Sequence, residues 1–386
     1  MTRLSHSAAE KYKTCPAQYK LHYIDKIRSE KIGSPLIFGG AMDEALNVLL
    51  STKMDNPPEN ATDDLDRLKQ GFEYHFAHQM INDEFLDIRT THYIEYYKSD
   101  FDPDILTDVE LKSLRDFIKN AGYVLDPNET DPTVPNEPDP IDLYNTIRGI
   151  IDREVQPNST DLSYHNYACW LSLKRKGHLM LETYIDEIMP KIKRVVSIQK
   201  EVNLPNEDGD ELIGYVDFEA ELEGYDGVIT VDNKTSSRNY KTADINDKGQ
   251  LLIYDEFTEN GLGGYVVLIK KVAYHKEKTC VECGEMTTRS VKSCAAIIDG
   301  KRCGGELTLK KIPYIKHQIL VDEIDEDKKE LHFEELCGIL ESIEAEEFSQ
   351  NRDACIQFGK PCPYYDYCRS DPTSPNIEGL VKSTKG

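Results

Sequence analysis

The sequence is short of positive charge. Its 386 residues carry 46 Lys and Arg against 70 Asp and Glu, a formal net charge of −24. Taken as an average, that argues against a phosphate-rich partner, because charge neutralisation dominates such binding. The average hides two basic islands. Residues 270–311 hold ten Lys and Arg against five Asp and Glu, and residues 10–31 hold six against three. Either these are ordinary solvated faces or they meet an acidic ligand, and a divalent metal would add positive charge at its own site. Long apolar runs are missing too. None approaches the roughly 18 residues of a membrane span, and the start, Met1 to His6, lacks the apolar core of a signal peptide. An intracellular, cytoplasmic protein that does not meet the membrane is expected. The ten His show no metal-ligand spacing, and no Gly-rich loop ends in Lys-Ser or Lys-Thr, so a helicase motor in this chain is not expected. One Trp stands beside 22 Tyr, which stack on bases or fill a core.

What the chain does have is cysteine, ten in all. In a reducing compartment these point to metal binding rather than disulfides. One set is Cys280-x2-Cys283 followed by Cys294-x8-Cys303, in basic, strand-like surroundings. It reads as a zinc ribbon inserted between two core strands, holding structural Zn²⁺. Lys292, Lys301 and Arg302 on it are either incidental or contacts to a polyanion. The other set is Cys355-x6-Cys362-x5-Cys368 in the tail, for which Cys15, in Cys15-Pro16, is the natural fourth ligand. Four thiolates suit either an iron–sulfur cluster or Zn²⁺. Cys169, beside Trp170, and Cys337, on an apolar helix face, read as core.

Helical spacing appears early: Phe38, Met42, Leu46, Leu49 and Leu50 give a buried face to a helix starting near Phe38. Before it, residues 5–24 read as two short helices, with Ser5 as a cap and Pro16 in the first turn of the second. From 57 to 192 the pattern is Tyr-rich and helical, broken by a Pro-, Asp- and Asn-rich loop over 126–142, and it carries no chemical motif. It either shapes a substrate channel or supports the core. Strands follow over 195–204, 212–222 and 228–233, with turns at 206–210 and 224–227. A helix over 244–258, a strand over 264–273, the Cys-containing insert over 274–312, a strand over 314–321 and an acidic helix over 324–350 complete the pattern. The tail from Val381 to Gly386 is polar and reads as frayed.

The most informative stretch lies on the strands. Gly214-Tyr215-Val216-Asp217 is followed by Val231-Asp232-Asn233-Lys234-Thr235. Alternate strand residues share a face, so Asp232 and Lys234 point the same way, and an antiparallel neighbour can bring Asp217 beside them. Clustered carboxylates repel unless a hard cation such as Mg²⁺ sits between them. Such an ion polarises a phosphate and lowers the pKa of a water, and Lys234 is placed to stabilise the developing charge. On the next helix, Gln250 and Tyr254 are one turn apart and share a face. Glu201, on the first strand, is either an outer carboxylate of this set or, the preferred reading, a solvated strand residue.

These motifs resemble the RecB-like branch of the PD-(D/E)XK nucleases, which includes AddB-type nuclease domains and the CRISPR-adaptation nucleases. The resemblance covers the first 50 residues, residues 193–322 and the C-terminal cysteines. It implies a restriction-endonuclease-like α/β core, a central mixed sheet flanked by helices. It also implies Asp217, Asp232 and the Asn233 carbonyl as ligands to Mg²⁺ or Mn²⁺, Lys234 as the catalytic lysine, and Gln250 and Tyr254 as the branch's Gln-x-x-x-Tyr pair. Such nucleases usually carry His in the early helix, where this chain has Asp43, a harder and more anionic ligand. In the iron–sulfur members, one N-terminal and three C-terminal cysteines hold a 4Fe-4S cluster, here Cys15, Cys355, Cys362 and Cys368. The implied organisation is core over 1–56, helical insertion over 57–192, core over 193–273, zinc ribbon over 274–312, and core with the cluster cysteines over 313–386. The implied activity is cleavage of DNA that is single-stranded or has free ends, as exonuclease or flap nuclease, in recombination, repair or replication, with a helicase or recombination protein as partner. Two rivals are a catalytically impaired DNA-binding subunit of the same fold, favoured by Asp43, and a ribbon protein whose main task is partner binding.

Overall fold

A computed structural model describes residues 3–29, 31–82, 94–120, 160–205, 211–287, 291–357 and 360–382. The loop expected over 126–142 and the turn over 206–210 lie outside the described residues. The elements used below are β1 (Arg3–Ser5), α1 (His6–Thr14), α2 (Ser34–Leu50), α3 (Leu65–Asn82), α4 (Asp108–Asn120), α5 (Thr160–Thr183), β2 (Ile192–Pro205), β3 (Glu211–Leu222), β4 (Ile229–Ser236), α6 (Gln250–Thr258), β5 (Leu262–Cys280), β6 (Leu307–Glu323) and α7 (Glu326–Glu344).

The main sheet runs β1-β3-β4-β5-β6, with β2 on the other edge of β3. It is mixed. β1 with β3 and β4 with β5 are parallel, while the β2–β3, β3–β4 and β5–β6 pairs are antiparallel. A parallel β4–β5 pair needs a crossover, and α6 provides it. Helices cover both faces. Val266 and Leu268 pack with α2, α3 and α5, while Tyr265, Val267 and Ile269 pack with α1, α6 and α7. This is the period-two alternation of a strand buried on both sides. It accounts for the mixed α/β core expected from the sequence.

The alternation slips once, at a place that matters. Leu212 and Val216 face the second cluster, whereas Phe218, Ala220 and Leu222 face the first. On the paired strand, Val202 faces the second cluster and Ile198 the first. The faces exchange at Asp217 and Gln199, and Gln199 takes a left-handed φ of 50° there. A non-glycine residue in that region costs energy and marks a locally re-aimed strand.

Several local expectations hold. Ser5 caps α1 by accepting from the Ala8 N–H at 3.2 Å, and Pro16 sits in the first turn of the Pro16–Tyr19 helix. Phe38, Met42, Leu46, Leu49 and Leu50 are all buried, and Cys169 is buried as expected. Others need correction. The early helix begins at Ser34 rather than near Phe38, since Pro35 suits a first helical turn. The helix over 244–258 is two pieces, Asp244–Asp247 and α6, because Gly249 turns the chain with φ 74°. Strands β5 and β6 do not stop at the cysteine insert; they run into it as one long antiparallel hairpin. Cys337 is exposed, although Leu336, Ile339 and Leu340 beside it are buried. Finally, Val381 and Lys382, expected to fray, continue a short strand from Leu380 that pairs antiparallel with Ile27–Ser29 and ties the C-terminal segment to the N-terminal one; residues 383–386 of that expectation lie outside the described residues.

Candidate active site

Strand pairing opens the site. β3 and β4 pair only through Ala220↔Ile229, Glu219↔Thr230 and Phe218↔Val231. Beyond that point β4 stays with β5, Asp232 beside Tyr265 and Lys234 beside Val267. The free edge of β3 is taken up again by β1 at Glu211–Ile213. Residues 214–217 therefore face a gap, and Asp217 lies at its rim across from Asp232. The Asn233 N–H donates to Asp217 Oδ2 at 2.8 Å and bridges the splayed strands.

Asp232 is 1% exposed. Its Oδ1 accepts from Gln250 Nε2 at 3.0 Å, and the same amide nitrogen donates to Tyr254 Oη at 2.8 Å. Lys234 Nζ lies 2.5 Å from Asp232 Oδ2 as an ion pair. Both carboxylate oxygens of Asp232 are thus engaged, one by the amide and one by the ammonium. Gly214 makes room for the Gln250–Tyr254 face, since a Cβ there would stand 3.0 Å from the Tyr254 ring and 3.1 Å from Val202. The structure thus brings Asp217, Asp232, Lys234, Gln250 and Tyr254 together.

Asp43 joins them electrostatically. Burial, then the charge of Asp232, pushes its carboxyl up to about 7. Burial, then Asp232 and Asp43, raises Asp217 well above the ordinary carboxylate range. Burial also raises Asp232, although Lys234 opposes it. For Lys234, burial alone would favour the neutral amine, but Asp232 and Asp217 outweigh it and hold the ammonium above its usual range. Without a cation, desolvated carboxylates keep protons. Asp217 and Asp232, with Asp43 near enough to feel the charge of Asp232, are oxygen donors of the kind a hard divalent ion takes. Glu201 is exposed, as a solvated strand residue should be.

The sequence reading missed Tyr184. It is fully buried, opens a single π-helical turn after α5, and donates to Asn233 Oδ1 at 3.0 Å. π-turns recur at functional sites, but nothing in residue spacing announces one. Gly249 was also unread. Besides its positive φ, a Cβ there would lie 2.5 Å from the His332 ring. Gly249→Ala should therefore cost about 1–3 kcal/mol and displace the start of α6 with Gln250. Thermal melting checks this; an unchanged Tm would refute it.

The two cysteine sets occupy separate places. Cys280, Cys283, Cys294 and Cys303 have their sulfurs within 4.8 Å of one another at the far end of the β5–β6 hairpin. The Cys283 and Glu282 amides aimed at the Cys280 sulfur bring its thiol down to about 7. Such a compact four-thiol set could bind a single metal ion. Cys15, Cys355, Cys362 and Cys368 line one shared cavity with Gln18 and Asn351. The Asn351 N–H points at Cys15 Sγ (3.4 Å) and Gln18 Nε2 at Cys362 Sγ (3.7 Å). Burial, then the neighbouring cysteines, pushes Cys368 up to about 11, and burial raises Cys362 as well.

A family model described as the PD-(D/E)XK nuclease superfamily matches residues 3–167. Over that stretch the chain is similar to PD-(D/E)XK nucleases. The match takes in β1, α1, Cys15 and the Asp43 helix, and it ends before the acidic strands. A mixed sheet flanked by helices is consistent with a PD-(D/E)XK fold. Members of that superfamily are in general metal-dependent nucleases, and the likeness suggests a nuclease. No curated protein matches the sequence. Among the described residues, no helix is long and apolar enough to cross a membrane.

Proposed function

We propose that this protein is a Mg²⁺- or Mn²⁺-dependent deoxyribonuclease of the RecB-like branch, acting on DNA strands that are single or carry free ends. The observation that carries this reading is the convergence of Asp217, Asp232 and Lys234 at the point where β3 and β4 separate, with Asp43 coupled to them. Asp217, Asp232, Asp43 and the Asn233 carbonyl would hold the cation. When bound there, the ion supplies Lewis acidity at the scissile phosphate and lowers the pKa of a water.

The chain's own residues do the rest. Lys234 is held protonated by its carboxylate neighbours. It is therefore a donor and not a base, and it stabilises the negative charge that grows on the phosphoryl oxygens. Gln250 fixes the Asp232 carboxylate through Oδ1, Lys234 pairs with Oδ2, and the bond to Tyr254 fixes Gln250 in turn. Tyr184 clamps the Asn233 side chain, which steadies the backbone between the two site residues of β4.

In the same reading Cys280, Cys283, Cys294 and Cys303 bind Zn²⁺ and shape the ribbon. Cys15, Cys355, Cys362 and Cys368 bind a 4Fe-4S cluster that staples the two ends of the chain. The acidic chain meets its polyanionic substrate at these local sites rather than over its whole surface. A role in recombination, repair or replication, beside a helicase or recombination partner, belongs to the same family reading.

The test uses protein purified without oxygen, end-labelled single-stranded DNA and Mg²⁺ or Mn²⁺, beside an Asp232→Asn variant. Wild type is expected to produce a product ladder whose direction gives polarity, and the variant to lose it by at least about a hundredfold. Metal-replete wild type that cuts nothing with either ion would leave a DNA-binding subunit instead.

A further inference from the structure

The ribbon ends in a small hairpin that the chemistry above does not use. Ile297 and Ile298 pair antiparallel with Arg302 and Lys301 across a two-residue turn. The turn residues, Asp299 and Gly300, have φ of 48° and 75°. Two positive φ values with an Asp-Gly sequence make the tight turn that matches strand twist. The Arg302 Nε–H donates to the Cys294 carbonyl at 3.3 Å, and the Cys303 N–H donates to the Ala296 carbonyl at 2.8 Å. The hairpin is thereby fixed to the four-thiol core. Its isoleucines are 76% and 46% exposed, and Lys301 and Arg302 are exposed beside them. Each aliphatic side chain stands opposite a cation.

We propose that the 297–302 hairpin is a wedge for DNA at a junction between single and double strand. Aliphatic side chains pushed against or between base pairs unstack them, while flanking cations hold the phosphates. The hairpin has no aromatic ring, so it is not a stacking platform for single strands. Charge speaks for nucleic acid over protein. Residues 270–311 carry a positive excess in a chain of net charge −24, and the hairpin has none of the aromatic anchors enriched at protein interfaces. The placement fits as well. β4 ends at Ser236 beside Ile269, while β5 continues from there to Cys280, so the arm leaves the sheet at the end where Asp232 and Lys234 lie. At about 3.3 Å per residue, the arm carries the ribbon up to roughly 40 Å from Lys234. That is roughly a dozen nucleotides at duplex spacing. The proposal rests on the nuclease reading for its substrate, and it makes that substrate a fork or flap whose cut position is measured from the junction.

The experiment compares wild type with Ile297→Ser/Ile298→Ser and with Lys301→Ala/Arg302→Ala, on a single strand and on a forked duplex carrying that strand as its flap. Wild type is expected to bind and cut the fork preferentially, with cuts at a fixed offset from the junction. The isoleucine variant is expected to keep single-strand cutting within about twofold of wild type, lose fork cutting about tenfold, and scatter its cut positions. The cation variant is expected to bind the fork less tightly, with a salt slope shallower by about two. Binding read by fluorescence anisotropy needs no cleavage, so loss of fork preference there supports the wedge even if the nuclease reading fails. Unchanged fork binding and an unchanged fork-to-single-strand ratio in both variants would assign the patch to a protein surface and overturn the proposal.

Discussion

Replacing Lys234 by Ala is expected to slow strand cleavage by about 10²–10³-fold, the usual cost of losing one preorganised donor to a developing oxyanion. DNA affinity should change little, because Lys234 is one charge among many and its partner is Asp232 rather than solvent. Metal affinity should hold or improve, because removal of the ammonium leaves the carboxylates more negative. The variant also separates chemistry from folding. Without Lys234, Asp232 is a buried carboxylate with no opposite charge, a strongly destabilising state in metal-free protein. Added Mg²⁺ should restore much of the Tm while leaving activity low. Cleavage within threefold of wild type would remove Lys234 from the mechanism. Recovery of activity in parallel with Tm would make it a folding residue only.

How much of this was legible beforehand depends on what kind of signal each residue sends. Asp232 and Lys234 could be paired from strand geometry alone, since residues two apart share a face. Gln250 and Tyr254 could be paired from helical spacing. Both periodicities are local, and the structure keeps them. Asp43 was placed by resemblance; its coupling to Asp232 and Asp217 needs the tertiary contact of α2 with the sheet. The face exchange at Gln199 and Asp217 was invisible, because an alternation that slips on both paired strands reads as two ordinary half-strands. Tyr184 lay in a helical stretch without a motif, and its role comes from a π-turn that only packing reveals. The extent of β5 and β6 was underestimated because the arm beyond the core is polar and half-exposed, so hydrophobic alternation fades there. The Leu380–Lys382 strand was missed for a similar reason: three residues are too few to carry a period, and pairing with Ile27–Ser29 supplies what local sequence does not.

Stability of the metal-free protein is expected to fall as pH rises from about 4 to about 7, and a divalent ion to reverse that fall. The sign follows from the direction of the shifts. Asp43 moves from an ordinary 3.8 when unfolded to about 7 when folded. Asp217 and Asp232 move the same way. Between those values the native state binds more protons than the unfolded one, so stability is fully present at low pH and is lost as pH climbs through the folded pKa. Lys234 adds no slope here, because it stays charged in both states throughout this range. That displacement corresponds to at most about 4 kcal/mol for Asp43. In metal-free buffer, Asp43→Asn should therefore gain stability over wild type as pH rises from 5 to 8, with the difference between the two proteins cancelling the titrations of groups that do not feel the Asp43 charge. Adding Mg²⁺ or Mn²⁺ at pH 8 should stabilise wild type by mass action and the variant less. The same addition at pH 5 should do little, since protons then compete for the carboxylates. Urea midpoints across this range read both effects. A wild-type-minus-variant difference that stays flat with pH would show that these carboxylates are not desolvated together. An equal metal effect at pH 5 and pH 8 would place the ion elsewhere.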